Sequence, residues 1–277
     1  MFCQLPRLIA ALLAACLFVL SGTLRAAPEI YTFSVVPQFE RRMLFNIWQP
    51  IIDELEKRTG HRFRLVTSLS VSDYESDVAK GLYDFIYVNP YMMPLVETRP
   101  GYLPLVRDNG ALHGILVVRK DSPVQRVEDL QGKSLAVPSM TALGASLLLR
   151  AELDRKFGVK TNPVIAKTHS SVFVHVINGF TEAGGSVQKA LSEQPAKIRD
   201  SLRVLHRTQD LPSHPVAAHK RVPPEVRESV RQALIELSQS EAGRQLLDKV
   251  PMPKPVVATS EDYDVLRTLK LDSYLNP

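Results

Sequence analysis

The chain reads as an α/β protein of two lobes, each an open sheet flanked by helices, with two strand-like crossings between them. Three observations predict this. First, β-rich runs alternate with segments of helical apolar spacing along nearly the whole sequence. Second, about 250 residues follow an amino-terminal leader, ample for a large core and better suited to two lobes than one. Third, two proline-marked passages, Lys120 to Val124 and Gln209 to Val216, bracket a middle set of elements. The expected division is 1–26 for the leader, 27–118 with 213–277 for the first lobe, and 119–212 for the second.

The leader carries Arg7, an unbroken apolar run from Leu8 to Leu20, and a small, polar stretch ending in Ala26-Ala27. That is the pattern of a secretory signal peptide, too short to span a bilayer, which takes around 20 apolar residues. Leu13-Ala14-Ala15-Cys16 offers an alternative, lipid anchoring at Cys16, but the apolar run continues past the cysteine. Soluble export to the periplasm is the expectation, with no membrane insertion after cleavage. Both cysteines, Cys3 and Cys16, fall in the leader, so the mature chain relies on core burial. Cleavage removes Arg7 and Arg25 and no acid, taking the formal charge from +5 to +3. That mild excess suits small anionic ligands. No basic run dense enough for nucleic acid occurs, nor a membrane-surface helix.

Taken in order, Ile30 to Val36 is β-rich, and Leu44, Ile47, Trp48, Ile51, Ile52 and Leu55 then follow helical spacing up to Gly60. Phe63 to Thr67 is a second strand. Ser72-Asp73 caps a short helix that ends at Gly81, and Phe85 to Val88 is a third strand stopped by Asn89-Pro90. Tyr102 to Arg107 and His113 to Arg119 are the next two strands. Val127 to Leu130 is a helical turn, Pro163 to Lys167 a strand, Ser170 to Asn178 a helix and Leu202 to His206 a strand. Pro223-Pro224 opens a helix to about Ser238, Glu241 to Lys249 forms another, and a polar tail wraps the surface. Alternation of this kind argues for mainly parallel sheets, with the ligand beyond the strands' C-terminal ends in the cleft between lobes.

The stretch from Ser134 to Arg150 carries the chemistry. Leu135 to Val137 is a short strand, Pro138 stops it, and Leu143 to Leu149 begins a Leu/Ala-rich helix. Ser139 and Thr141 ring the helix N-terminus, where unpaired N–H groups and the positive end of the dipole favour an anion. By pattern alone this is also an ordinary capped βα unit, so context must give it a function.

Enzyme signatures are missing. Gly132-Lys133-Ser134 ends like a phosphate loop, but Val127 stands where that motif needs glycine. No Gly-x-Ser-x-Gly elbow or His-Glu-x-x-His occurs, and the mature chain lacks cysteine. His169-Ser170 are adjacent in sequence, which says nothing about a triad. A hydrolase stays a minor alternative, and no cofactor or metal is called for.

Several segments together resemble the periplasmic solute-binding proteins of phosphonate, phosphite and phosphate ABC importers. They are Trp48-Gln49-Pro50 with Leu55 to Gly60, Ser72-Asp73-Tyr74, Asp84 to Pro90, Val117 to Ser122 with Val127 to Lys133, Thr168-His169-Ser170 and Pro212 to Pro215. The resemblance runs from about Tyr31 to Leu266. It implies a type 2 periplasmic-binding-protein fold with two mixed sheets and two hinge crossings, working as a monomer. A small oxyanion would be trapped by hinge closure and passed to an ABC permease, or read by a membrane sensor kinase. The site residues it implies are Tyr74, Asn89, Tyr91, His113, Ser139, Thr141, His169 and His214.

The departures from that family are informative. It prefers Ser-Thr-Ser where this chain has Met140-Thr141-Ala142, so two hydroxyls are lost. His214 stands where aminophosphonate binders place an acid, and Gly184 to Lys189 lacks their other carboxylate. The expected ligand is therefore an oxyanion without an amine. His113, His169 and His214 would converge on the cleft, and a sharper reading has them bind Zn²⁺ or Ni²⁺.

Overall fold

Aromatic and β-branched residues shape the amino-terminal run into β1 (Ile30–Val35), which pairs in parallel with β3 (Phe85–Tyr87). The computed structural model describes residues 29–39 and 41–275. The signal-peptide and Cys16 expectations lie outside the described residues.

The first sheet has six strands in the order β13-β4-β12-β3-β1-β2. Its other members are β2 (Arg62–Val66), β4 (Tyr102–Asp108), β12 (Pro215–His219) and β13 (Pro255–Val257). Helix α1 (Arg41–Thr59) buries Leu44, Ile47, Trp48, Ile51, Ile52 and Leu55 along one stripe. Trp48 meets Phe33 and Tyr87 with ring centroids 5.6 and 4.8 Å apart. Pro50 sits inside this helix and costs about 3 kcal/mol. Six buried side chains at about 1.5–3 kcal/mol each outweigh it. Helices α2 (Val71–Ala79) and α3 (Met93–Thr98) precede β3 and β4 respectively. Ser70, not Ser72, caps α2, its hydroxyl accepting from the Asp73 N–H at 3.1 Å.

The second sheet has five strands in the order β10-β6-β9-β7-β8. They are β6 (Gly114–Arg119), β7 (Ser134–Val137), β8 (Asn162–Ile165), β9 (Ala183–Val187) and β10 (Leu202–Arg207). Its helices are α4 (Leu149–Phe157), α5 (His169–Ile177), α6 (Gln188–Ser192) and α7 (Ala196–Arg199). Leu116, Val118, Leu135, Val137, Leu149 and Leu153 form a core between this sheet and α4. Helices α8 (Pro224–Leu237), α9 (Glu241–Lys249) and α10 (Asp264–Thr268) complete the chain. Among the described residues no helix is long and apolar enough to cross a membrane.

Several points differ from the sequence reading. Strand β6 belongs to the second sheet, antiparallel to β9 and β10, although the boundary at 118/119 would leave it in the first lobe. Between the strands of the two sheets, in chain order, lies a small ribbon, β5 (Ala111–Leu112) paired antiparallel with β11 (Leu211–Pro212). Both sheets are mixed, as the family resemblance implied and unlike the mainly parallel sheets that alternation alone suggested, because β12 runs antiparallel to β3 and β4 in one and β6 to its two neighbours in the other. The polar tail also supplies a strand, β13, paired with β4.

Candidate functional site

Beyond β7 the chain turns at Pro138 and enters a π-helical stretch, Leu143–Leu148, continuous with α4. The Ala142 carbonyl accepts from the N–H groups of both Ser146 and Leu147, at 2.8 and 3.1 Å, which widens the first turn. Two glycines let this turn press on the sheet. A Cβ on Gly114 would lie 1.9 Å from the Gly144 carbonyl oxygen, and one on Gly185 would lie 2.1 Å from that of Ala145. The first N–H groups of the stretch have no acceptor within the helix.

A second helix N-terminus, that of α5, comes to the same place. Thr168 caps it, accepting from the Ser171 N–H at 3.1 Å, and Lys167 just before adopts a left-handed φ of 70°. Such a φ is uncommon for a residue with a side chain and collects at functional sites. Between the two termini lies a cavity of about 80 Å³, lined by Gln38, Asn89, Ser139, Ala142 to Ala145, Lys167 to His169 and His214, among others. This is the seat. It adjoins a larger cavity of about 340 Å³ that shares Gln38, Leu112, Thr168, His169, Val187 and His214 with it.

His169 and His214 are the polar centre of this pair of cavities. Burial pushes the His169 imidazole down to about 4, and its Nδ1 lies 2.9 Å from the Ser186 hydroxyl. Burial, with His169 close by, pushes His214 down to about 4 as well. The His214 ring stacks on Tyr87, and its Nε2 lies 3.2 Å from Gln38 Nε2. Both rings are therefore neutral at pH 7, each offering one N–H. His113 lines the larger cavity only; burial and Arg207, whose guanidinium donates to Nδ1 at 3.1 Å, lower its pKa.

Of the eight residues expected from sequence, Asn89, Ser139, His169 and His214 line the seat, and His113 lines the adjoining cavity. Three do not. Tyr74 is fully buried in the large apolar core around the first sheet, where its hydroxyl donates to the Tyr87 carbonyl at 2.8 Å. Tyr91 turns away and donates to Asp272 at 3.0 Å. Thr141 lines neither cavity; its carbonyl accepts from Asn89 Nδ2 at 2.8 Å, and its hydroxyl lies 3.5 Å from that of Ser139. The three histidines do not make a metal site. Among the described residues no three His, Cys, Asp or Glu side chains gather to hold an ion.

Sequence reading missed Gln38, Lys167, Ser186 and the Gly144-Ala145 backbone. Gln38 was findable, since it follows β1 at the strand's C-terminal end, where ligands of open α/β sheets bind. Lys167 and Ser186 had no local signal, because their roles come from long-range packing.

Two carboxylates line the larger cavity, and both are engaged. Asp108 accepts from the backbone N–H groups of Gly110 and Lys254, at 2.7 and 2.8 Å. Glu193 lies 3.4 Å from Lys189. Among the described residues no carboxylate lines the seat, the half-buried Glu75 beyond it pairing with the Thr141 side chain, and the arrangement suits a tetrahedral oxyanion.

The same fold is found in solved structures. A binding protein component of a phosphonate ABC transporter from Pseudomonas aeruginosa matches with a TM-score of 0.77 at 12% identity, covering 90% of each chain. PhnD1 from Prochlorococcus marinus, in complex with methylphosphonate, matches with a TM-score of 0.76 at 12% identity, over 88% of this chain and 97% of that one. A Xanthomonas citri protein bound to chloride ion matches with a TM-score of 0.74 at 16% identity, over 89% and 97%. These neighbours share the two-lobed periplasmic-binding-protein architecture. Residues 33–263 match the family model described as ABC transporter, phosphonate, periplasmic substrate-binding protein. That match spans far more than half of the sequence, and the chain belongs to the family of periplasmic substrate-binding proteins of phosphonate ABC transporters.

Proposed function

We propose that the chain captures the phosphono or phosphate-like head of a ligand lacking an amine, in the seat between the two helix N-termini. The observation that carries this reading is the convergence of those termini with neutral His169 and His214 on one small cavity free of available carboxylates. Lobe boundaries near the 111–112 and 211–212 ribbon follow from the same reading, since that pair joins the two sheets.

The chemistry is binding and orientation. Backbone N–H groups at Ala142 to Ala145 and at His169-Ser170 point their partial positive charge at the anion. Ser139 adds a hydroxyl, and Lys167 a cation at the edge of the seat. If Ser186 donates to His169 Nδ1, the ring proton sits on Nε2 and is free for the ligand. Gln38 in turn directs the His214 proton to Nδ1. Each charge-assisted bond contributes about 1.5–3 kcal/mol. Asn89 links the lobes by reaching the Thr141 carbonyl, a contact made only when they are together. Periplasmic binding proteins close about a hinge around their ligands, and here that motion would present the closed form to the permease. The family is one of substrate-binding transport proteins, periplasmic by description, which sets this reading ahead of the sensory and hydrolytic ones.

Isothermal titration with phosphate, phosphite, methylphosphonate and 2-aminoethylphosphonate tests the proposal. The amine-free anions should bind more tightly, because no carboxylate among the described residues lines the seat to receive the ammonium. Tightest binding of the aminophosphonate would overturn it.

A further inference from the structure

Resting on that oxyanion reading, we propose that the ligand carries a bulky, amine-free apolar substituent, such as an aryl or medium-chain alkyl group, housed in the larger cavity. The seat and this chamber are contiguous through His169, His214, Leu112 and Val187, so a head held in the seat directs its substituent into the chamber.

Size is the first argument. The seat, about 80 Å³, has room for a tetrahedral head and little else, since a water molecule takes roughly 30 Å³. The chamber, at about 340 Å³, falls in the range of pockets that enclose organic ligands and would leave a methyl group surrounded by water. Chemistry is the second argument. Phe39, Leu112, Val187, Ala190, Pro251 and Pro253 form apolar wall on both sides of the cleft. Asp108, the buried acid of the lining, is taken up by backbone amides, and Glu193 is largely exposed beside Lys189, so the lining holds no buried carboxylate free for an ammonium group. An apolar substituent gains from leaving water there, whereas a charged amine loses its hydration without a partner.

The shared chemistry is a PO₃ head on an apolar group, which a phosphonate or a phosphate monoester supplies. Titration of the leader-free chain with methylphosphonate, butylphosphonate, phenylphosphonate and phenyl phosphate separates these sources. Phenylphosphonate should bind at least about tenfold more tightly than methylphosphonate, with butylphosphonate between them. An equal gain for phenyl phosphate supports the proposal and admits esters; a gain confined to phosphonates supports it and excludes them. Ala111→Trp, which places an indole in the chamber, should lower the phenyl-to-methyl affinity ratio, with thermal melts confirming that the variant is folded. Methylphosphonate binding as tightly as phenylphosphonate overturns this inference while leaving the oxyanion reading standing. Failure of all four to bind overturns both.

Discussion

In the proposed seat His169 and His214 act as neutral donors, because burial disfavours the charged imidazole in both and the neighbouring His169 adds to this at His214. Selection of the anion then rests on where N–H groups point rather than on net charge. Tyr74 lies outside this arrangement. Its hydroxyl ties α2 to the Tyr87 carbonyl, which also accepts from the Val36 N–H at 3.0 Å. Burial raises the Tyr74 phenol well above its ordinary value, so it stays a protonated donor. Tyr74→Phe removes one hydrogen bond and leaves the carbonyl its other partner. The expected loss is about 1 kcal/mol in urea unfolding, with phosphonate affinity held within about twofold. A large fall in affinity with stability intact would return Tyr74 to the binding site.

Among elements, the placement of the π-helical stretch decides whether the seat exists. Gly114 and Gly185 sit on neighbouring strands of the second sheet, with Leu116 opposite Gly185 and Gly114 opposite Val187. Their missing side chains are filled by the Gly144 and Ala145 carbonyls. Gly114→Ala must push the turn outward or bend β6, at a cost of about 1–3 kcal/mol, and should weaken anion binding through a misplaced N-terminus. Denaturant unfolding and titration together check this; normal affinity in Gly114→Ala would show that the turn does not position the ligand. Much of this element was legible in the sequence, because a strand, a proline and a Leu/Ala-rich run are local signals. Its π-helical first turn was not, since it comes from glycines about 30 and 40 residues away in the chain. Strand β6 was legible as a strand, but not its sheet, which β9 and β10 decide through long-range pairing. Tyr74 was misread for a similar reason: a ligand-facing phenol and a core phenol look the same in sequence, and only the Tyr87 carbonyl separates them.

At the scale of the whole molecule, several bonds among the described residues cross between the parts built on the two sheets. Asn89 reaches Thr141. The tail after α10 docks on α4, with Arg155 donating to the Leu269 and Lys270 carbonyls at 2.6 and 2.7 Å and Tyr274 donating to Asp154 at 2.6 Å. Lys189, on α6, donates to the Asp248 carbonyl at 2.8 Å and lies 3.0 Å from its carboxylate, on α9. These bridges differ in how they respond to solvent. The Asn89 bond is part-buried and neutral, so salt leaves it alone, whereas the Lys189–Asp248 pair is exposed and screened. An exposed pair is worth about 1 kcal/mol at most, and under the proposed hinge closure breaking it acts on the closed form alone. Lys189→Ala should therefore speed dissociation of the tightest-binding phosphonate about fivefold and leave association nearly unchanged, because about 1.4 kcal/mol corresponds to tenfold. Added salt should quicken release from the native protein and close the gap to the variant. Stopped-flow measurement at two ionic strengths reads both effects. Equal release rates for the two proteins at low salt would mean that the Lys189 bridge has no part in holding the cleft shut, leaving Asn89 and the tail to do so.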